Sequence, residues 1–77
     1  MKVHLEFMAT LRRSKNVPRE FDLEVPENIT VREVIKDYFT REELKMIQVI
    51  INGIRVRHDY QLKDSDTLFL TIPIGGG

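Results

Sequence analysis

One segment of this chain carries the stripe of an amphipathic helix, and nearly everything on either side of it alternates like a strand. Thr30-Val31-Arg32-Glu33 is a capping box, in which a threonine hydroxyl and a glutamate carboxylate three positions later satisfy backbone donors at a helix start. Val31, Val34, Ile35 and Tyr38 then fall on one stripe while Arg32, Glu33, Lys36 and Asp37 face water. This predicts a helix of ordinary globular length, whose stripe needs a sheet to cover it. A second box, Thr40-Arg41-Glu42-Glu43, predicts a short helical turn ending near Lys45.

Before the helix, Val3, Leu5, Phe7 and Ala9 alternate with Lys2, His4, Glu6 and Met8, the period of a half-buried strand. A polar stretch from Thr10 to Pro18 connects it to a second alternation, with Phe21, Leu23 and Val25 inward and Glu20, Asp22 and Glu24 outward. The two are expected to pair antiparallel. After the helix, the β-branched run Ile47 to Ile51 predicts a more central strand. Asn52-Gly53 is the strongest two-residue hairpin signal and turns it into a return strand, Ile54 to Arg57. Lys63-Asp64-Ser65-Asp66 makes a polar turn before the last strand, Thr67 to Ile72, with Leu68, Leu70 and Ile72 inward and Phe69 and Thr71 outward. With the helix as a right-handed crossover, this order gives an α+β chain, a mixed five-stranded sheet packed on one main helix. That arrangement is the β-grasp.

Composition narrows what such a domain does. Seventy-seven residues make one domain with room for one core. The chain has no cysteine, which excludes a disulfide framework, a thiol nucleophile and a zinc-thiolate site. Twelve basic and 12 acidic side chains cancel, so the electrostatic footprint of a dedicated nucleic-acid binder is missing. No apolar run approaches the ~20 residues of a membrane-spanning helix and the start lacks the core of a signal peptide, which predicts a cytoplasmic protein without a membrane partner.

The end of the chain is the second informative stretch. Pro73-Ile74-Gly75-Gly76-Gly77 follows the last strand without a polar linker. Glycine has no Cβ, so such an end is thin enough to enter a narrow channel. A terminal carboxylate is ionised at neutral pH, and it becomes an electrophile only when activated, naturally by ATP as an acyl-adenylate. No segment here is suited to binding ATP, so activation falls to a partner. A frayed terminus or added residues would give the same composition. The expected organisation is a β-grasp domain over 1–72 and a glycine-rich tail over 73–77.

The set Phe7-Met8-Ala9-Thr10-Leu11-Arg12, Val25-Pro26-Glu27 before a capped helix, the Val49 to Gly53 hairpin, Lys63-Asp64-Ser65-Asp66 and Ile72-Pro73-Ile74-Gly75-Gly76-Gly77 resembles the ubiquitin-like sulfur-carrier family of MoaD and ThiS over the whole chain. The likeness is closer to MoaD, the small subunit of molybdopterin synthase, because ThiS proteins tend to have a shorter first hairpin. Ser65 stands where the family usually has glycine, and three glycines end the chain in place of two.

The resemblance implies a cosubstrate that is not catalytic alone. Gly77 would be adenylated by a ubiquitin-activating-like enzyme that uses ATP, and a sulfur donor system would convert it to a thiocarboxylate. A large molybdopterin synthase subunit would then receive the sulfur. No cofactor is expected on the chain itself. Gly75 and Gly76 would provide access and Pro73 and Ile74 tail recognition, with Ile72 beside them among the partner-binding residues. A ubiquitin-like modifier joined to lysines through Gly77, a thiamine-thiazole sulfur carrier and a passive binding module are the competing readings.

The β-grasp order sets the last strand between the first and third, which puts Phe69 near Ile50 on the outer face with Arg55 and Arg57 toward the edge. This patch, with Met8 as a weaker member, is the expected partner surface. His4 and His58 read as solvated surface, as does the loop cluster of Arg12, Arg13, Lys15 and Arg19. Glu20, Asp22 and Glu24 read as guards of an edge strand.

Overall fold

The computed structural model describes residues 1–9, 11 and 17–72. Five strands and two short helices follow one another as β1 (Lys2–Phe7), β2 (Glu20–Glu24), α1 (Val31–Ile35), α2 (Arg41–Leu44), β3 (Gln48–Ile51), β4 (Ile54–Val56) and β5 (Thr67–Thr71). They form one sheet in the order β2-β1-β5-β3-β4. β1 and β5 are parallel, and every other neighbouring pair is antiparallel. This is the mixed β-grasp sheet that the sequence predicts, with the last strand at its centre.

The alternation is obeyed where it matters. Val3, Leu5 and Phe7 of β1, Val49 and Ile51 of β3 and Leu68 and Leu70 of β5 are buried on the inner face. Val31, Val34 and Ile35 of α1 cover them. Asn52 and Gly53 both take positive φ, 54° and 78°, as the tight β3–β4 hairpin requires.

Three details depart from the sequence-based picture. α1 stops at Ile35, shorter than its stripe suggests, because the Tyr38 N–H donates to the Ile35 carbonyl at 3.0 Å and tightens the next turn. That turn sends Phe39 into the core and leaves Tyr38 half-buried, with Phe7, Phe21, Tyr38 and Phe39 forming an aromatic cluster at centroid distances of 5.8 to 6.4 Å. β1 ends at Phe7, and Ala9 is exposed rather than inward. The Leu11 N–H closes a turn on the Met8 carbonyl at 2.9 Å, and Leu11 takes the buried place. β5 and β4 each end one residue early, at Thr71 and Val56, so Ile72 is half-buried just past β5 and Arg57 lies just past β4.

Among the described residues, no helix is long and apolar enough to cross a membrane.

Candidate functional site

The strand registers assemble the outer face one row at a time. Glu20 faces Glu6, Glu6 faces Phe69, Phe69 faces Ile50, and Ile50 faces Arg55, a line crossing all five strands. Side chains of one row stand on one face, so an apolar pair sits between an acidic end and a basic end. Phe69 and Ile50 are both half-buried, and Arg55 and Arg57 are exposed beside them. The structure therefore brings Phe69, Ile50 and Arg55 together as the sequence predicts. Arg57 extends the basic side, 90% exposed and 3.8 Å from Asp59.

The next row leads to the tail. Thr71, the last residue of β5, pairs with Gln48, the first of β3, and its hydroxyl donates to the Met8 sulfur at 2.9 Å. Met8 thus joins the outer face at the end of the sheet where the chain runs on through Ile72. Pro73, Ile74, Gly75, Gly76 and Gly77 lie outside the described residues.

The acidic turn before β5 has a structural job. Asp66, buried, accepts the Lys63 N–H at 2.8 Å, and Asp64 accepts the Lys2 N–H at 3.0 Å. The Ser65 N–H donates to the Lys2 carbonyl at 2.8 Å, and the Asp66 carbonyl accepts the His4 N–H at 2.9 Å. The turn ties β5 to the start of β1, and thereby fixes the register that carries Phe69 and the tail. Ser65 holds φ at 71°, so it keeps the left-handed geometry for which the family's glycine is suited.

Both histidines are more engaged than solvated surface. His4 lies between two carboxylates, Nδ1 at 2.7 Å from Asp22 and Nε2 at 3.1 Å from Glu20. The Asp22 hydrogen bond, opposed by desolvation and helped by Glu20, raises its pKa above the ordinary 6.5. Ligand atoms of His4, Glu6 and Glu20 lie within 4.8 Å of one another, a grouping that the sequence reading did not anticipate because the three come from two paired strands. His58 is half-buried, and its Nε2 donates to the Ile47 carbonyl at 2.9 Å.

Sequence reasoning also missed two exposed apolar side chains. Met46 and Ile54, 57% and 66% exposed, flank the β3–β4 edge. Their types suit a core, and only the end of α2 and the edge position of β4 turn them outward.

Comparison with known proteins places this geometry. The sequence profile of the ThiS family matches residues 5–77. No curated protein matches the chain. Among solved structures, a protein assigned as molybdopterin converting factor subunit 1 from Pyrococcus furiosus is 27% identical over 95% of this chain and 98% of its own, with a TM-score of 0.72. SAMP1 from Haloferax volcanii superposes with a TM-score of 0.73 at 19% identity, covering all of both chains. A chain from the complex of subunits 1 and 2 of molybdopterin-converting factor from Helicobacter pylori gives a TM-score of 0.68 at 20% identity, again over 100% of both chains. At these lower identities the last two likenesses concern the fold.

Proposed function

The chain belongs to the ThiS family of ubiquitin-like sulfur carriers, and from that premise we propose that it carries sulfur as a thiocarboxylate on Gly77 for molybdopterin synthesis in the cytoplasm. The observation carrying this reading is that the family match runs through residue 77, so the glycine tail falls inside the family's pattern. The choice of molybdopterin over thiazole is supported by the 27% identity to the Pyrococcus protein across nearly both whole chains.

The chemistry follows from what the chain lacks and what it offers. Without cysteine, it has no side-chain thiol on which to hold sulfur. A partner adenylating enzyme supplies ATP: the Gly77 carboxylate attacks the α-phosphorus, pyrophosphate leaves, and an acyl-adenylate forms. Sulfide delivered by the donor system then attacks the carbonyl carbon, AMP departs and a proton is lost, leaving the thiocarboxylate. In the large synthase subunit the thiocarboxylate sulfur attacks an electrophilic carbon of the acceptor and displaces an oxygen leaving group; water then cleaves the acyl–sulfur bond, leaving the sulfur on the acceptor and a carboxylate on Gly77.

The fold supports the delivery. Fully extended, residues 73–77 span roughly 17 Å, enough to reach a buried active site from a docked sheet. Pro73 lacks an N–H and would end strand pairing at the point of departure. The Phe69–Ile50 pair gives the partner an apolar centre, with Arg55 at the rim.

ATP–pyrophosphate exchange by the adenylating enzyme tests the reading. Removing Gly76 and Gly77 is expected to abolish carrier-dependent exchange. Phe69→Ala is expected to raise the KM for the carrier about tenfold or more with little change in kcat, as loss of a central contact does. Exchange that persists without the glycines contradicts the proposal.

A further inference from the structure

The molecule is neutral overall but not locally. Glu6, Glu20 and Asp22 occupy the β1–β2 side of the sheet, whereas cations gather around an open cleft of about 650 Å3 at the β3–β4 side. Arg32 of α1, Lys45 after α2, and Arg55 and Arg57 at β4 all line it, with Asp59 the single acidic residue among the described ones. Among the described residues, Arg57 and Lys45 have only loose, exposed ion pairs, at 3.8 Å to Asp59 and 3.9 Å to Glu42, which solvent screens and which leave both cations available. Arg32 and Arg55 form no ion pair with a described carboxylate.

We propose that this cleft and the free edge of β4 bind an extended acidic segment of a partner protein. The inference goes beyond the sulfur-carrier reading and does not depend on the chemistry of Gly77. Four cations drawn from three parts of the chain call for several negative charges spread along a ligand. β4 ends the sheet, so its outer side offers main-chain groups to an added strand. Met46, in the cleft wall, and Ile54, at the head of β4, add exposed apolar surface that suits aliphatic residues interspersed among the acids.

Other occupants fit less well. Among the described residues, the lining has one aromatic ring, the His58 imidazole, whose Nε2 is held by the Ile47 carbonyl, and no glycine-rich loop to cradle phosphates. A second copy pairing β4 with β4 would bring Arg55 and Arg57 against their own counterparts. A second copy offering its acidic edge would bring carboxylates already partly engaged, since Glu20 and Asp22 each commit one oxygen to His4. The cleft is also well placed: Gln48 lines it and pairs with Thr71, so a bound segment would lie beside the end of β5.

The test is titration of the 15N-labelled full chain with a synthetic peptide rich in Glu and Asp and carrying two leucines, alongside its Gln/Asn counterpart. The acidic peptide is expected to shift amide resonances at Arg32, 45–48 and 54–59, with affinity falling about tenfold as salt rises from low to physiological and beyond. Reversing charge with Arg55→Glu and Arg57→Glu is expected to lower affinity at least about tenfold while the unbound spectrum keeps its dispersion. If that pair fails to fold, Arg32→Gln with Lys45→Gln should weaken binding in the same direction. No shift, shifts centred on Phe69 or β2, equal binding of the uncharged peptide, or the same pattern from inorganic phosphate alone would overturn the proposal. So would shifts produced by concentrating the protein without peptide, which would make the occupant a second copy.

Discussion

Ser65 holds a left-handed backbone, φ 71°, in the turn that ties β5 to β1. For a residue with a Cβ that conformation costs roughly 1 kcal/mol, partly recovered because serine has less freedom than glycine when unfolded. Ser65→Gly is therefore expected to stabilise the protein by about 0.5 kcal/mol, read as a higher denaturant midpoint at unchanged slope. A lower midpoint would show that the serine side chain contributes something the backbone geometry does not reveal. His4 offers a second test at this scale. Its pKa is raised, by Asp22 first and then Glu20, so its stabilising contribution is fully present below about 6.5 and is lost as pH climbs through the raised value. The Tm of the native chain should fall over that window relative to its Tm at lower pH, and His4→Gln should remove that part of the slope. The serine was legible in the sequence as a departure from the family pattern. The histidine's partners were not, since they depend on β1–β2 register rather than on spacing.

Both helices are short and rely on their starts. Thr30 and Thr40 each accept the N–H of the glutamate three residues on, at 3.3 and 3.1 Å, and each glutamate accepts the threonine N–H, at 3.0 and 2.7 Å. These boxes were readable because capping chemistry is local. The end of α1 was not, because the apolar stripe continues through a tightened turn that places Phe39 inward. Thr30→Ala is expected to cost about 1 kcal/mol in chemical denaturation, and Thr30→Ser to restore most of it. Thr30 donors also lower the Glu33 pKa below 4.5, so the box persists above that range and weakens as pH falls through the lowered value. In the sheet, Leu5 and Leu70 are fully buried, and either alanine substitution should cost about 2–5 kcal/mol. An unchanged Tm in either variant would mean that the strand faces are misassigned.

At the scale of the whole molecule, strand order converts scattered residues into a surface. Phe69 and Ile50 were legible as neighbours because helical crossover and hairpin rules leave few ways to arrange five strands. The cleft was not, because Arg32, Lys45, Arg55 and Arg57 come together only through packing of the β3–β4 edge against the helical segment. The tail is an expectation from composition and position alone, and residues 73–77 lie outside the described residues. Sulfur carriage on Gly77 is open to accurate intact-mass analysis of the protein from its native host. The expected result is a species heavier by the difference between sulfur and oxygen, localised to Gly77 by C-terminal fragments and absent when Gly77 is deleted. Adducts joining Gly77 to lysines without any thiocarboxylate, or an unmodified carboxylate even when adenylating enzyme, ATP and sulfide are supplied, would contradict it.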